Sequence, residues 1–443
     1  MRRSLLLRLL LPGLALLVAV IVMAAPASRA PRVPKPADPN LAPPPPSVEL
    51  IESVPVESAL GNPRLRAAAV AWVELIRTAT ARIDLEQFYV STWPGEPMEP
   101  VLAALVEAAK RGVRVRLLID SRMHRTYPQP ADSLGLIPGI TVRTIDMGKI
   151  SGGVQHSKYF LIDGQTAYVG SQNFDWRSLK QIHELGVCVR DERVTARLQQ
   201  VFDMDWATAE LQASSADSSR IVGWPAQESL GGGLPVRVVQ SAGDTVEVWP
   251  SWSPRAFSPD SMLWDRDAIV QRIDEARDEV VVQSMKYSIL DRGLSDDALD
   301  LALRRAAGRG VRVKVLISDW QAGGESLRDL DSLATVPGIE VRLSSVPEWS
   351  EAYIPFARVE HCKYMVVDTL VTWIGTSNWE PSYFHTTRNV AFTLRNRPLA
   401  GEAREIFRVS WDASESQPVG HGRVYPARVH GADAPAGVTK YGN

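Results

Sequence analysis

Two short stretches of this 443-residue chain carry residues whose types and spacing can do chemistry together, His156-x-Lys158-x4-Asp163 and His361-x-Lys363-x4-Asp368. In an extended run, a His and a Lys two positions apart project from the same face. Downstream, Gly170-Ser171-Gln172-Asn173 and Gly375-Thr376-Ser377-Asn378 bring hydroxyls and an amide close to the backbone. Cleaving a phosphodiester needs a nucleophile, a proton for the leaving oxygen, and positive charge around the phosphoryl oxygens. Two copies of the pattern supply two imidazoles, two ammonium groups and two amides, enough for in-line displacement without a metal. One imidazole must be neutral to attack while the other is protonated to donate, so their surroundings should push the two pKa values apart.

None of these pieces is informative alone. A single His-x-Lys is commonplace, and an Asp after a strand is usually a turn or cap residue. The repetition is what counts, and it extends well beyond the motifs. Gly112-Val113-Arg114-Val115 returns as Gly310-Val311-Arg312-Val313, and Tyr89 as Tyr287, at an offset of 198. His156, Lys158, Asp163, Gly170, Asn173, Phe202 and Trp206 return at an offset of 205 as His361, Lys363, Asp368, Gly375, Asn378, Phe407 and Trp411. Two matched blocks with different offsets mean a duplicated domain with a small insertion ahead of the second His. The two mouths of a shared site should therefore differ in shape. At the 205 offset Glu184 is matched by Asn389, so only one half keeps a carboxylate there.

The elements that must position these residues repeat as well. In the first half, Arg82 to Val90 reads as a strand, Glu99 to Arg111 as an amphipathic helix stopped by Gly112, and Val113 to Ile119 as a strand. In the second, Asp278 to Ser288, Asp296 to Gly308 and Val311 to Ile317 repeat that order. Short helical crossovers imply a parallel or mixed sheet covered on both faces. A pseudo-twofold pair of such α/β halves would set equivalent loops against each other.

The paired motifs make the sequence resemble the phospholipase D superfamily, and within it the lysosomal 5'-exonuclease branch of animal phospholipase D-like proteins. The likeness is carried by Glu52-Ser53-Val54-Pro55, by the segments His156–Asp163, Gly170–Leu179 and Glu184–Val187, and by Ile354–Val359, His361–Asp368 and Ile374–Trp379. It spans about Glu49 to Asp412. The chain keeps Asp368 at the end of its second motif, where many members of the branch do not. The resemblance implies a duplicated phospholipase D-type α/β fold, two mixed-sheet halves packed as a pseudo-dimer around one active site. It implies that His156 attacks phosphorus to form a phosphohistidine, and that His361 protonates the leaving oxygen and then activates water or an alcohol. Lys158, Lys363, Asn173 and Asn378 would bind the phosphoryl oxygens, with Ser171 and Thr376 beside them. Asp163 and Asp368 join the catalytic set as motif members, and Glu184 would orient an imidazole.

The first reading of the substrate is single-stranded nucleic acid cut from its 5' end, with Phe88, Tyr89, Phe174, Trp176, Trp320, Trp379 and Tyr383 as candidate stacking residues. The alternative is a phospholipase D or phosphatidyltransferase acting on membrane phospholipids. A catalytically silent binding protein is at odds with two intact motifs. No cofactor and no metal is expected, since no His and Cys spacing matches a metal site. His183, beside Glu184, is a candidate support for the site, and His385 a candidate cleft residue; His124, His421 and His430 read as surface residues.

Length favours one large or two medium domains. Apolar residues at 45% and charged residues at 23% fit a globular body, and a net charge of -2 argues against a dedicated duplex-DNA binder. Residues 1–30 read as a signal peptide or an N-terminal membrane anchor, with Arg2, Arg3 and Arg8 ahead of an uncharged run from Leu9 to Ala25. That implies an exported chain, periplasmic or secreted, with membrane association through this segment as one option. Residues 31–48 read as a Pro-rich linker, 49–212 as the first half, 213–250 as a connection, 251–413 as the second half and 414–443 as a flexible tail. Cys188 and Cys362 are read as buried thiols rather than a disulfide. The sequence leaves the oligomeric state open.

Overall fold

The computed structural model describes residues 45–442 apart from 215–232, 242, 324, 421 and 427. Two sheets of the same design dominate it. The first half runs through strand β1 (Val48–Ser53), β2 (Arg66–Ala67), helix α1 (Ala68–Thr78), β3 (Arg82–Gln87), α2 (Met98–Lys110), β4 (Arg114–Asp120) and β5 (Ile140–Ile145). It continues with β6 (Tyr159–Ile162), β7 (Thr166–Gly170), β8 (Glu184–Arg190) and α3 (Glu192–Ser214). In space the strand order is β2-β1-β8-β7-β6-β3-β4-β5. The three strands β3, β4 and β5 are parallel, and from β3 through β6, β7, β8 and β1 the pairing is antiparallel.

The second half repeats this plan. Its elements are β9 (Val236–Val239), β10 (Thr245–Ser253), α4 (Asp265–Glu275), β11 (Glu279–Ser284), α5 (Ala298–Gly308), β12 (Arg312–Ser318) and β13 (Ile339–Ser344). Next come β14 (Lys363–Val367), β15 (Val371–Gly375), β16 (Asn389–Arg395), α6 (Arg397–Asp412) and β17 (Gln417–Pro418). Its order is β9-β10-β16-β15-β14-β11-β12-β13-β17, with β11, β12 and β13 parallel. The second sheet thus starts inside the stretch expected to be only a connection, because Val236, Val238, Val246 and Val248 turn alternate residues into the core.

The crossover helices follow from pattern and punctuation. In α2, Met98, Val101, Leu105 and Ala108 form the buried stripe, and the chain leaves the helix through Gly112 at φ +92, a conformation open to glycine at little cost. Helices α1 and α2 cover the outer face of the first sheet, and α4 and α5 that of the second. Between the sheets lies one common apolar layer. Val201, Phe202 and Trp206 of α3 and Ile406, Phe407 and Trp411 of α6 share it with Tyr159 and Val187 of the first sheet and Tyr364 and Phe392 of the second. The halves are therefore fused through a core, and the loops at one edge of the fusion are held rigidly against each other.

Two expectations need correcting. The expected membrane anchor finds no counterpart, since no helix among the described residues is long and apolar enough to cross a membrane. Even the longest, α3, has Arg193, Arg197, Asp203 and Glu210 along it, and it buries one face in the shared core. Residues 1–30 and most of the Pro-rich linker lie outside the described residues. The tail beyond 414 is not loose where it is described. Its Tyr441 packs edge-on against Trp93, Trp176 and Trp349 and donates to Glu96, while Tyr353 and Thr439 share a backbone hydrogen bond.

Candidate active site

Each motif histidine hangs from the other half of the molecule. The backbone N–H of His156 donates to the carbonyl of Arg388 at 2.9 Å, and that of His361 to the carbonyl of His183 at 3.0 Å. These bonds belong to two short parallel bridges, Gln155 with Arg388 and Glu360 with His183, related by the 205-residue repeat. The imidazoles thereby meet at the seam and line one cavity of about 380 Å³ together with Asn173 and Asn378. Both rings are deeply set, 6% and 8% exposed.

The repeat is symmetric in backbone and asymmetric in what it offers the two rings. His361 Nδ1 lies 2.7 Å from a carboxylate oxygen of Glu184. His156 Nδ1 lies 3.1 Å from the amide oxygen of Asn389 and 3.1 Å from the Thr376 carbonyl. In each case the partner comes from the opposite half and leaves Nε2 as the remaining ring nitrogen. Burial, then Lys158 and Lys363, holds His156 well below the ordinary imidazole range, so it is neutral. Burial pushes Glu184 up to about 8 and pulls His361 down, with the two lysines acting in the same direction on the ring. At 2.7 Å the Glu184 carboxyl and the His361 ring are direct hydrogen-bond partners, whereas His156 meets only an amide and a carbonyl oxygen.

The lysines lie beneath the rings. Lys158 Nζ donates to the His156 carbonyl at 2.5 Å and Lys363 Nζ to the His361 carbonyl at 2.7 Å. Burial, and for Lys158 also the charge of Lys363, lowers both; Lys363 falls to about 8. Asn173 and Asn378 each keep a buried amide oxygen without a hydrogen-bond partner.

Four residues of the sequence-derived set are placed differently from expectation. Asp163 and Asp368 stand at the far ends of β6 and β14, about 16 Å of extended chain beyond each Lys. The Asp163 carboxylate accepts from the backbone N–H groups of Thr80, Ala81 and Arg82, all at 2.8 Å, and Asp368 does the same for Arg277, Asp278 and Glu279. Both residues sit in the left-handed region, at φ +53, so these are structural clasps on the turns entering β3 and β11 and not members of the reacting group. Ser171 and Thr376 do lie beside the rings, but their hydroxyls are spent. Ser171 Oγ accepts from the N–H of Leu185, and Thr376 Oγ1 donates to Asn389. His385 points to Asp296 and does not line the cavity. Of the candidate stacking residues, Phe88, Tyr89, Trp320 and Tyr383 line it, whereas Phe174, Trp176 and Trp379 are core. Reading the sequence missed Tyr127, Met285, Lys286 and Phe356 at the mouth. Only Lys286 carried a signal, as the counterpart of Phe88 at the 198 offset, one position before the repeated Tyr287. Cys188 and Cys362 are both buried and unpaired.

The family model for the cardiolipin synthase, PLD-like domain matches residues 72–206 and again 269–411. The chain belongs to the phospholipase D superfamily. It is 30% identical over 391 residues to phospholipase D Z of Dictyostelium discoideum, covering 84% of this chain and 91% of the relative. It is 33% identical over 402 residues to the human 5'-3' exonuclease PLD3, covering 83% and 79%. Its fold matches that of the phosphatidylserine synthase of Haemophilus influenzae at a TM-score of 0.58 and 14% identity, over 84% of this chain and 87% of the other. The protein is thus a hydrolase or transferase of this superfamily with a histidine-based active site shared by its two α/β halves.

Among the described residues one group of donors could hold a metal ion, His183, Glu360 and Cys362, with ligand atoms within 4.8 Å of one another. Both nitrogens of the ring are already hydrogen-bonded to carboxylates, at 2.7 Å to Glu360 and 2.9 Å to Glu52. That geometry suits a charged imidazole better than a coordinated one, whose ligating nitrogen carries no proton.

Proposed function

We propose that the protein cleaves or exchanges phosphodiesters through a phosphohistidine and without a metal, with His156 as nucleophile and His361 as general acid and then base. The carrying observation is the crosswise pairing of Glu184 with His361 and Asn389 with His156. A ring backed only by an amide and a carbonyl stays neutral and can attack. A ring sharing a proton with a carboxylate can deliver that proton to the leaving oxygen and take one from the incoming water or alcohol. The phosphoryl oxygens would lie against Asn173 and Asn378, above the ammonium groups of Lys158 and Lys363, where burial makes each charge count for more than in water.

The substrate reading best supported is a phospholipid headgroup diester. The rim of the cavity is largely apolar, built from Phe88, Met123, Met285, Trp320 and Phe356, with Phe356 43% exposed and Lys286 as a cation beside them. Such a rim accepts glycerol and acyl carbons while the headgroup phosphate enters. The names of the matched family model and of phospholipase D Z agree with this reading. A second reading, a 5' exonuclease on single-stranded nucleic acid, has its own support. The relationship to PLD3 is one part, and the stacked rings of Tyr89 and Tyr127, with centroids 5.1 Å apart, are the other.

The test offers the protein phosphatidylcholine, phosphatidylglycerol and 5'-phosphorylated single-stranded oligonucleotides in the presence of a strong chelator, with His156→Ala alongside. Lipid turnover that disappears in the variant supports the first reading. Oligonucleotide shortening with untouched lipid replaces it by the second, and a strict metal requirement sinks the mechanism.

A further inference from the structure

Glu52, His183 and Glu360 are buried, belong to three different chain segments, and take no part in the chemistry proposed above. The His183 ring, fully buried, joins Glu52 of β1 through Nε2 and Glu360 of the second half through Nδ1. The repeat gives this residue a counterpart, Arg388. Arg388 is also fully buried, and it spans the seam in the opposite direction, bound bidentately to Asp205 of α3 at 2.7 and 2.9 Å. At these two equivalent positions one half has a guanidinium held by one carboxylate and the other an imidazole clasped by two.

We infer that His183 is a positioning residue, held as an imidazolium strut between Glu52 and Glu360, and that it acts through His361. Its backbone carbonyl receives the N–H of His361, and its chain neighbour Glu184 receives the His361 ring. Its own ring ties that turn to Glu360, the residue before His361. The strut therefore sets the 2.7 Å spacing of the Glu184–His361 proton pair from both sides. Two ring nitrogens each facing a carboxylate oxygen require two N–H donors, which only the cationic form has. Burial opposes that charge, but the groups facing the ring, the Glu360 carboxylate among them, outweigh it and raise the group well above its ordinary range. His156 hangs instead from Arg388, whose guanidinium is held by the Asp205 carboxylate. The inference rests on the division of labour proposed above, in which His361 supplies the leaving-group proton.

Full-length His183→Gln is compared with wild type on two phosphodiesters of the preferred class, one releasing an alkoxide and one releasing p-nitrophenolate, which needs no proton to depart. The alkoxide substrate is expected to lose on the order of 10²-fold in kcat with KM unchanged, while the first-turnover burst of nitrophenolate stays near wild type. Equal losses on both substrates, or none on either, overturn the inference. Should the variant fail to fold, nitrogen NMR of histidine-labelled wild type at pH 8 decides. Two protonated ring nitrogens at His183 support the strut, whereas a neutral tautomer or a metal-bound ring overturns it. His156→Ala on the same substrates separates the two ideas. If it remains active, the catalytic reading fails, and the NMR signature still rules on the strut.

Discussion

At the seam the first half offers a carboxylate, Glu184, where the second offers an amide, Asn389, although the strands carrying them superpose in the repeat. The backbone hydrogen bonds that hang His156 and His361 differ by only 0.1 Å, so duplication preserved the frame and diverged in the side chains that set protonation. The mouths diverged too. Residues 146–155 lead to the first histidine, whereas the longer stretch 345–360 leads to the second and carries Phe356 at φ +56. The C-terminal tail supports that stretch, through His430 stacked at 4.2 Å on Trp320 and its carbonyl accepting from the Phe356 N–H. Identical histidines in unequal surroundings can take unequal roles.

The largest effect that breaks this comparison is loss of one ring. His156→Ala should lower kcat by about 10⁴-fold or more, with no covalent phosphoprotein trapped on rapid acid quench. Making the halves alike from the other side comes next. Glu184→Gln should cost on the order of 10²-fold in kcat, because His361 loses the carboxylate with which it shares its proton. Asn389→Asp should cost roughly tenfold near neutrality. A carboxylate beside His156 raises its pKa, the nucleophile stays protonated to higher pH, and the acidic limb of the rate profile moves upward.

Asp163→Asn should leave kcat near wild type and lower stability by about 1 kcal/mol, the scale of a lost backbone cap, as read by urea denaturation. The sign of its pH dependence is set by its partners. Burial, the largest single cause, raises the Asp163 pKa, but the N–H groups of Arg82, Thr80 and Ala81 together with the Thr80 hydroxyl lower it more, and the net value lies below the ordinary 3.8. A depressed carboxylate stabilises above its unfolded pKa and loses that contribution as pH falls through the folded one, so the difference between wild type and variant should begin to shrink near about pH 4 and vanish only below the folded pKa. The smallest effect is at the mouth. Phe356→Ala should raise KM a few-fold for the preferred substrate without changing kcat, since it removes rim contact made equally in ground and transition states.

Much of the frame was legible in the sequence. The two offsets, 198 and 205, announced a duplicated α/β domain, and the expected strands and crossover helices fall within one to four residues of the observed ends. The motif spacing identified His156, His361, the lysines and the asparagines, all of which the fold gathers at one seam. It could not separate the reacting members of the motif from its braces. Five residues of strand look the same on paper whether Asp163 ends near the imidazole or at the opposite edge of the sheet. The mouth was largely hidden as well, since Tyr127 and Phe356 reach it from segments with no shared pattern.

By itself the sequence determined the duplication, the class of chemistry and the identity of the two imidazoles, because repeated spacing is a property of the chain alone. Only the tertiary structure decided which carboxylate serves which ring. Glu184 follows the first histidine in sequence yet pairs with the second, because the shared core sets each β8-type strand against the opposite motif. The same packing turned Asp163 and Asp368 into clasps and gave His183 its two carboxylates. Side-chain partners across a seam are set by how two sheets dock, and docking depends on the whole buried surface rather than on any local run of residues.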